Sequence, residues 1–246
     1  MKKRHPENPN LQYHHQDSFK GLPVMSAHLP MISNYLDTLH SVIECALQEY
    51  KRVFIFRVEP VIPRELNDRM TAEKHKRVIS KFLASFREII DQDYQRRRRR
   101  KWVAATKVRY AWCREIFRSG RPHYHFIFIL NQEAFNTVGN IASGRENLAT
   151  RISRAWHSAL GLTWDRNKPL IHLPKKSQYW ISRNDRASLH EAFHRGRYGS
   201  PYAPQPATVI RYLSFITAKT TVRTAPVVAV PNGELAHALL SLPPLG

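Results

Sequence analysis

Hydrophobic and polar positions along the chain follow two rhythms, one of three to four residues and one of two. From Tyr35 the apolar residues Tyr35, Leu36, Leu39, Val42, Ile43, Ala46, Leu47 and Tyr50 recur at three- and four-residue steps, with Ser33 and Asn34 ahead of them as caps. That spacing predicts a helix with one buried stripe. Behind Thr71, the residues Val78, Ile79, Phe82, Leu83, Phe86, Ile89 and Ile90 predict a second helix of the same kind. A third opens at the Ser143–Glu146 capping pattern, carries Leu148, Ile152, Ala155, Trp156 and Ala159 as its stripe, and stops at Gly161. A short helical piece is expected around Glu133–Val138, another helix over about Asp185–Phe193 and a last one over about Ala207–Thr220.

The two-residue rhythm marks strands. Arg52–Pro60 is rich in β-branched and aromatic residues and ends at a proline. Alternation puts Val53, Ile55, Arg57 and Glu59 on one face and the wholly apolar Phe54, Phe56 and Val58 on the other. Helices are therefore expected behind this strand, and an active surface or bound ligand in front. Thr106–Phe117 and the run Arg121–Asn131 read as two more strands, joined through Arg118–Arg121 into an antiparallel hairpin. In the later one Tyr124, Phe126, Phe128 and Leu130 oppose His123, His125, Ile127 and Ile129, which is the pattern of a central strand. Leu170–Pro174 resembles a short strand. These elements indicate an α+β fold: an antiparallel sheet carrying the His-Tyr-His strand centrally, with helices packed on one face. Residues 1–30 are polar without a period and are expected as a flexible arm, residues 31–222 as one domain and 223–246 as a tail.

Composition narrows the partner. Among 246 residues, 39 are Lys or Arg and 19 are Asp or Glu, a formal net charge of +20. Such an excess repels itself in a compact state unless a polyanion offsets it, so nucleic acid leads and an anionic membrane surface follows. No apolar run reaches the ~18 residues needed to cross a bilayer. The basic start Met1–Arg4 runs into His5-Pro6-Glu7-Asn8 and not into an apolar signal core, which points to a cytoplasmic protein. Cys45 and Cys113 match no zinc or redox spacing and read as buried free thiols. Arg96, Arg97, Arg98, Arg99, Arg100 and Lys101 form an unbroken cationic run between Tyr94 and Trp102, expected to hold a nucleic-acid backbone without reading its sequence.

The candidate chemistry lies at His123 and His125, which share a strand face about 7 Å apart. Two imidazoles with a nearby carboxylate, Glu59 or Glu115, would suit Mg²⁺ or Mn²⁺ on a phosphodiester, with positions left for water and substrate. A structural zinc site would need a fourth good ligand that no cysteine spacing supplies. Water could serve as the nucleophile, or a tyrosine could attack phosphorus and form a covalent intermediate. Tyr212 and Lys219 lie two turns apart on one face of the last predicted helix, although spacing alone favours core packing for Tyr212.

The run Pro122-His123-Tyr124-His125 followed by Phe-Ile-Phe-Ile-Leu-Asn resembles the His-hydrophobe-His motif of the HUH endonucleases, the rolling-circle replication initiators. Together with Arg57-Val58-Glu59, Trp112-Cys113-Arg114-Glu115, Ile171-His172-Leu173-Pro174 and Leu213-Ser214-Phe215, it is similar to the inovirus Gp2 replication proteins, also found as prophage proteins of the YagK/YfjJ type. The resemblance spans roughly residues 35–220 and implies that His123 and His125 hold a divalent cation, completed by Glu59 or Glu115. It further implies a DNA endonuclease and strand transferase that nicks single-stranded origin DNA and stays attached through a 5′-phosphotyrosine. The free 3′-hydroxyl then primes synthesis by host replication proteins. Arg57, Arg121 and the Arg96–Lys101 run would contact DNA, and Lys219 would offset phosphate charge. One departure stands out, since Phe215 occupies the place of the expected tyrosine. Tyr212, Tyr179 or Tyr202 takes the role, or covalent cleavage is lost. The competing readings are a non-catalytic basic DNA-binding regulator of a prophage and a water-using metal nuclease.

Overall fold

A computed structural model of the chain describes residues 4, 9–24, 29–116, 122–174 and 177–184. The stretch expected as a loose arm instead carries two small antiparallel ribbons: β1 (Tyr13–His14) pairs with β4 (Met31–Ile32), and β2 (Ser18–Phe19) with β3 (Leu22–Pro23). Val24 and Met31 pack on Leu36, which ties this segment to the first helix. Its apolar residues are too few and too scattered to show a period, but among the described ones Phe19 and Leu29 pack with Val24 and Met31, and Leu11 and Tyr13 pack under α1.

Helix α1 (Ser33–Glu49) buries the predicted stripe from Tyr35 to Leu47. Its N-cap is Ile32, with no side-chain cap, because Asn34 Oδ1 instead accepts from the Gln12 backbone N–H at 3.0 Å. After β5 (Arg52–Pro60) and the single turn α2 (Arg64–Asn67) comes α3 (Ala72–Arg98), 27 residues long, capped by the Thr71 side chain accepting from the Lys74 N–H. Strands β6 (Arg109–Ile116) and β7 (Pro122–Asn131) pair antiparallel as predicted. Glu133–Val138 forms no helix; Asn131 folds the chain back, its carbonyl accepting from the N–H groups of Ala134 and Phe135. Helix α4 (Leu148–Leu160) is capped by Asn147 in a reciprocal box with Thr150, four residues later than the sequence pattern placed it, and ends at Gly161 in the left-handed conformation. The edge strands β8 (Ile171–His172) and β9 (Gln178–Ser182) follow.

The main sheet has the order β6-β7-β5-β8, with β9 also on β5, and all its pairings are antiparallel. The His-Tyr-His strand β7 is flanked on both sides, as expected of a central strand. Phe54, Phe56, Phe126 and Phe128 face α3 and α4, where Phe82 sets its ring edge-on to Phe126 and Trp156 at 5.2 and 5.1 Å. Val53, Ile55, Ala111, Ile127 and Ile129 face α1. Helices thus pack on both faces, not one, because the alternate face is apolar along most of its length and needs its own cover. Beyond Ile55 and Ile127 that face turns polar at Arg57, Glu59 and His125, and this polar corner is the candidate site. The predicted helices over 185–193 and 207–220, the turn at 118–121 and the C-terminal tail lie outside the described residues.

Candidate active site

Three strands converge on one carboxylate. Glu59 stands opposite His172 in the β5–β8 register, and β7 lies on the other side of β5 with Val58 paired to Phe126. His125 Nδ1 lies 3.0 Å from Glu59 Oε1, and His172 Nδ1 lies 3.0 Å from Glu59 Oε2. Arg57, on the same face of β5, donates from Nη2 to Oε1. Its approach to His125 Nδ1 at 3.3 Å follows from both groups converging on that oxygen, since a guanidinium only donates and an imidazole nitrogen serving a carboxylate also donates. Glu59 is 15 % exposed, His125 2 % and His172 63 %. Burial works against the charge on Glu59, but hydrogen bonds from His125 and His172 and the nearby Arg57 outweigh it and hold the carboxyl well below the usual range.

His123 is exposed, and its ring centroid lies 6.0 Å from that of His125. In the β6–β7 ladder Cys113 stands opposite His125 and Glu115 opposite His123. Helix α1 runs with its first turn toward Cys113, which raises the pKa of Tyr35 together with burial, and with its end at Glu49, paired to Arg109. The positive end of its dipole is therefore on the side of the sheet that carries the histidines.

The structure brings together Arg57, Glu59, His123 and His125 of the sequence-derived site. It adds His172, which the sequence marks as part of a short strand and of the resemblance but gives no role. The signal that finds it is register: β8 and β9 together form one edge of β5, interrupted opposite Arg57 and Val58, where the Arg57 N–H donates to the Ser177 carbonyl. Such interruptions re-aim side chains at strand edges. Among the described residues no set of three or more His, Cys, Asp or Glu side chains is placed to hold a metal ion. Both Glu59 oxygens are engaged, Oε1 by His125 Nδ1 and Arg57 and Oε2 by His172 Nδ1. In donor chemistry the set still fits a divalent cation, since a carboxylate on one ring nitrogen is the usual second support of a metal-binding imidazole. Mg²⁺ also takes few protein ligands and completes its shell with water and substrate phosphate.

The cationic run lies elsewhere. His75, near the start of α3, touches the Tyr124 hydroxyl at 2.8 Å beside the histidines. Arg96–Arg98 close the other end of the helix, about 30 Å further along its axis at 1.5 Å per residue. Arg121, Tyr202, Tyr212 and Lys219 lie outside the described residues. Of the tyrosines inside them, Tyr179 is buried in the core under α1, and burial pushes Tyr35 and Tyr124 up to about 12. None of these three is suited to act as a nucleophile.

The class the fold defines is an α+β domain built on an antiparallel sheet, whose central strand opens on a His-x-His pair beside the half-buried Glu59. The chain belongs to the YagK/YfjJ C-terminal domain family, whose model matches residues 14–198. It is 31 % identical over 159 residues to the uncharacterized protein YfjJ of Escherichia coli K12, covering 62 % of this chain and 76 % of YfjJ. It is 32 % identical over 108 residues to the uncharacterized protein YagK of the same organism, covering 44 % of this chain and 51 % of YagK, about half of that relative's length. No solved structure gives a significant match. No helix among the described residues is long and apolar enough to cross a membrane.

Proposed function

We propose that the protein is a metal-dependent endonuclease and strand transferase of the HUH type, close to the inovirus Gp2 replication proteins. It nicks single-stranded origin DNA in the bacterial cytoplasm to start rolling-circle replication of a phage or related mobile element. The observation that carries this is the meeting of His125 and His172 on Glu59, with His123 exposed beside them, where the α1-side face of the sheet turns from apolar to polar.

In this reading His123 and His125, with His172 beside them on Glu59, would hold Mg²⁺ or Mn²⁺ whose shell water and substrate phosphate complete, and the bound cation would supply Lewis-acid polarisation of a phosphoryl oxygen. Glu59 is a positioning residue: it fixes the tautomer of two imidazoles by accepting from Nδ1, and Arg57 keeps it ionised. Glu115, opposite His123, remains the carboxylate nearest in register. The tyrosine oxygen bonds to phosphorus and gives up its proton, the P–O3′ bond breaks, and the leaving 3′-oxygen takes a proton. Tyr212 is the assigned nucleophile, with Lys219 beside the phosphate and Arg57 and Arg121 against the DNA.

The test incubates the protein with labelled single-stranded DNA carrying candidate origins and Mn²⁺. Nicked DNA and a slow-migrating covalent band are expected, and both are lost in His123→Ala with His125→Ala. Absence of both products across all origins would remove the enzymatic reading. A second reading is favoured by the lack of a finished three-ligand set among the described residues. In it the protein binds DNA without cutting, independently of metal and with steep salt dependence.

A further inference from the structure

The cationic run from Arg96 to Lys101 divides into two parts with different work. Asp93, 4 % exposed, accepts from Arg96 at 2.7 Å, Arg97 at 3.3 Å and Arg151 of α4 at 2.8 Å. The guanidiniums of Arg97 and Arg151 lie over the Phe135 ring at 5.4 and 5.8 Å. These arginines fasten the end of α3 to α4 and to the turn after β7. Beyond them Arg98, Arg99, Arg100 and Lys101 are exposed, and Trp102 follows at 84 % exposure.

An indole that bare is unusual, because burying such a ring is among the largest single gains a side chain offers. Among the described residues only Val61 is another exposed large hydrophobic. Trp102 is not on a loose end. The segment that carries it is fixed beyond it, where Asn131 donates to the Ala105 carbonyl at 2.9 Å and the Lys107 N–H donates to the Tyr50 hydroxyl at 2.9 Å. An indole in water on an anchored segment, beside four cations in a chain of net charge +20, matches one ligand chemistry: phosphates at regular intervals with flat apolar rings between them.

We infer that Trp102 with Arg98, Arg99, Arg100 and Lys101 is a second binding site, a stacking platform for single-stranded DNA at the end of α3 remote from the histidines. The cations hold the backbone and the indole stacks on an unpaired base. Duplex DNA cannot use the indole, since its bases already cover one another's faces. The site binds without cutting, so it stands or falls apart from the proposed nicking reaction.

The test measures binding of full-length protein to a labelled oligothymidylate of about 16 nucleotides, and to a duplex of the same length, by fluorescence anisotropy across a salt series. Trp102→Ala is expected to weaken single-strand binding roughly 5- to 100-fold and leave duplex binding and the salt slope unchanged. Trp102→Phe is expected to restore most of the loss. Replacing Arg99, Arg100 and Lys101 with alanine is expected to flatten the single-strand salt slope by up to about 2. Folding is not at stake in an exposed side chain, and an unchanged thermal midpoint confirms it. Wild-type single-strand binding by Trp102→Ala, an equal loss on duplex, tighter binding of the matching RNA, or displacement by polyglutamate as readily as by oligothymidylate would each overturn the inference.

Discussion

Glu59→Gln tests the core of the candidate site without changing its shape. The carboxylate accepts from Arg57 and His125 at one oxygen and from His172 at the other. The bond to His172 is in contact with solvent and contributes little. Those to Arg57 and His125 are largely shielded, and charge-assisted bonds of that kind are worth about 1.5–3 kcal/mol each. A glutamine keeps one acceptor and turns a donor toward another donor, so the expected loss is about 2–4 kcal/mol at neutral pH. With a urea slope of about 2–3 kcal/mol per molar for a chain of this size, the midpoint falls by about 1–2 M. The pH dependence has a fixed sign. Because the folded carboxyl titrates below its unfolded value of about 4.3, its stabilisation is complete above that pH and is lost as pH falls through the folded value. The gap between wild type and variant therefore narrows as pH falls from about 4 toward about 3. Equal midpoints at neutral pH, or a gap that widens between about pH 4 and 3, would refute the reasoning.

Three other outcomes follow from particular contacts. Asp93→Asn leaves the buried Arg151 guanidinium without the carboxylate it shares with Arg96 and Arg97, and is expected to cost about 2–4 kcal/mol, a thermal midpoint lower by about 5–15 °C by calorimetry. Gly139→Ala is strained twice, by φ +79 and by a Cβ set 2.7 Å from Asn147 Cγ, the residue that caps α4. A loss of about 1–3 kcal/mol is expected, with faster amide exchange in the first turn of α4. His172→Ala removes a mostly exposed ring, so stability stays within about 0.5 kcal/mol while nicking falls at least about tenfold if His172 serves the site as proposed. Unchanged nicking in a folded His172→Ala variant would return the residue to a surface role.

Much of this fold was readable from period alone. The stripes of α1 and α3 and the face alternation of β5 and β7 are long enough for burial to dictate the element, and each falls where the pattern placed it. The second face of the sheet was misread because Arg57 and Glu59 mark only one end of it; Val53 and Ile55 already required a cover there, which α1 supplies. The ribbons before α1 escaped notice since two-residue strands carry no period. At the site, His123, His125 and Glu59 were visible as residue types on strand faces. That Glu59 engages the Nδ1 atoms, and that His172 shares it, depends on residues 66 and 113 positions apart meeting across the sheet, which no local pattern encodes. The split of the cationic run was equally hidden, as it rests on Asp93 and Arg151 coming together across two helices.

The most direct measurement is peptide mapping by mass spectrometry of protein incubated with single-stranded origin DNA and Mn²⁺. The expected result is DNA joined through its 5′-phosphate to one tyrosine, Tyr212, in wild type and not in His123→Ala with His125→Ala. Uncut DNA and unmodified protein, or cleavage that persists without the two histidines, would contradict it.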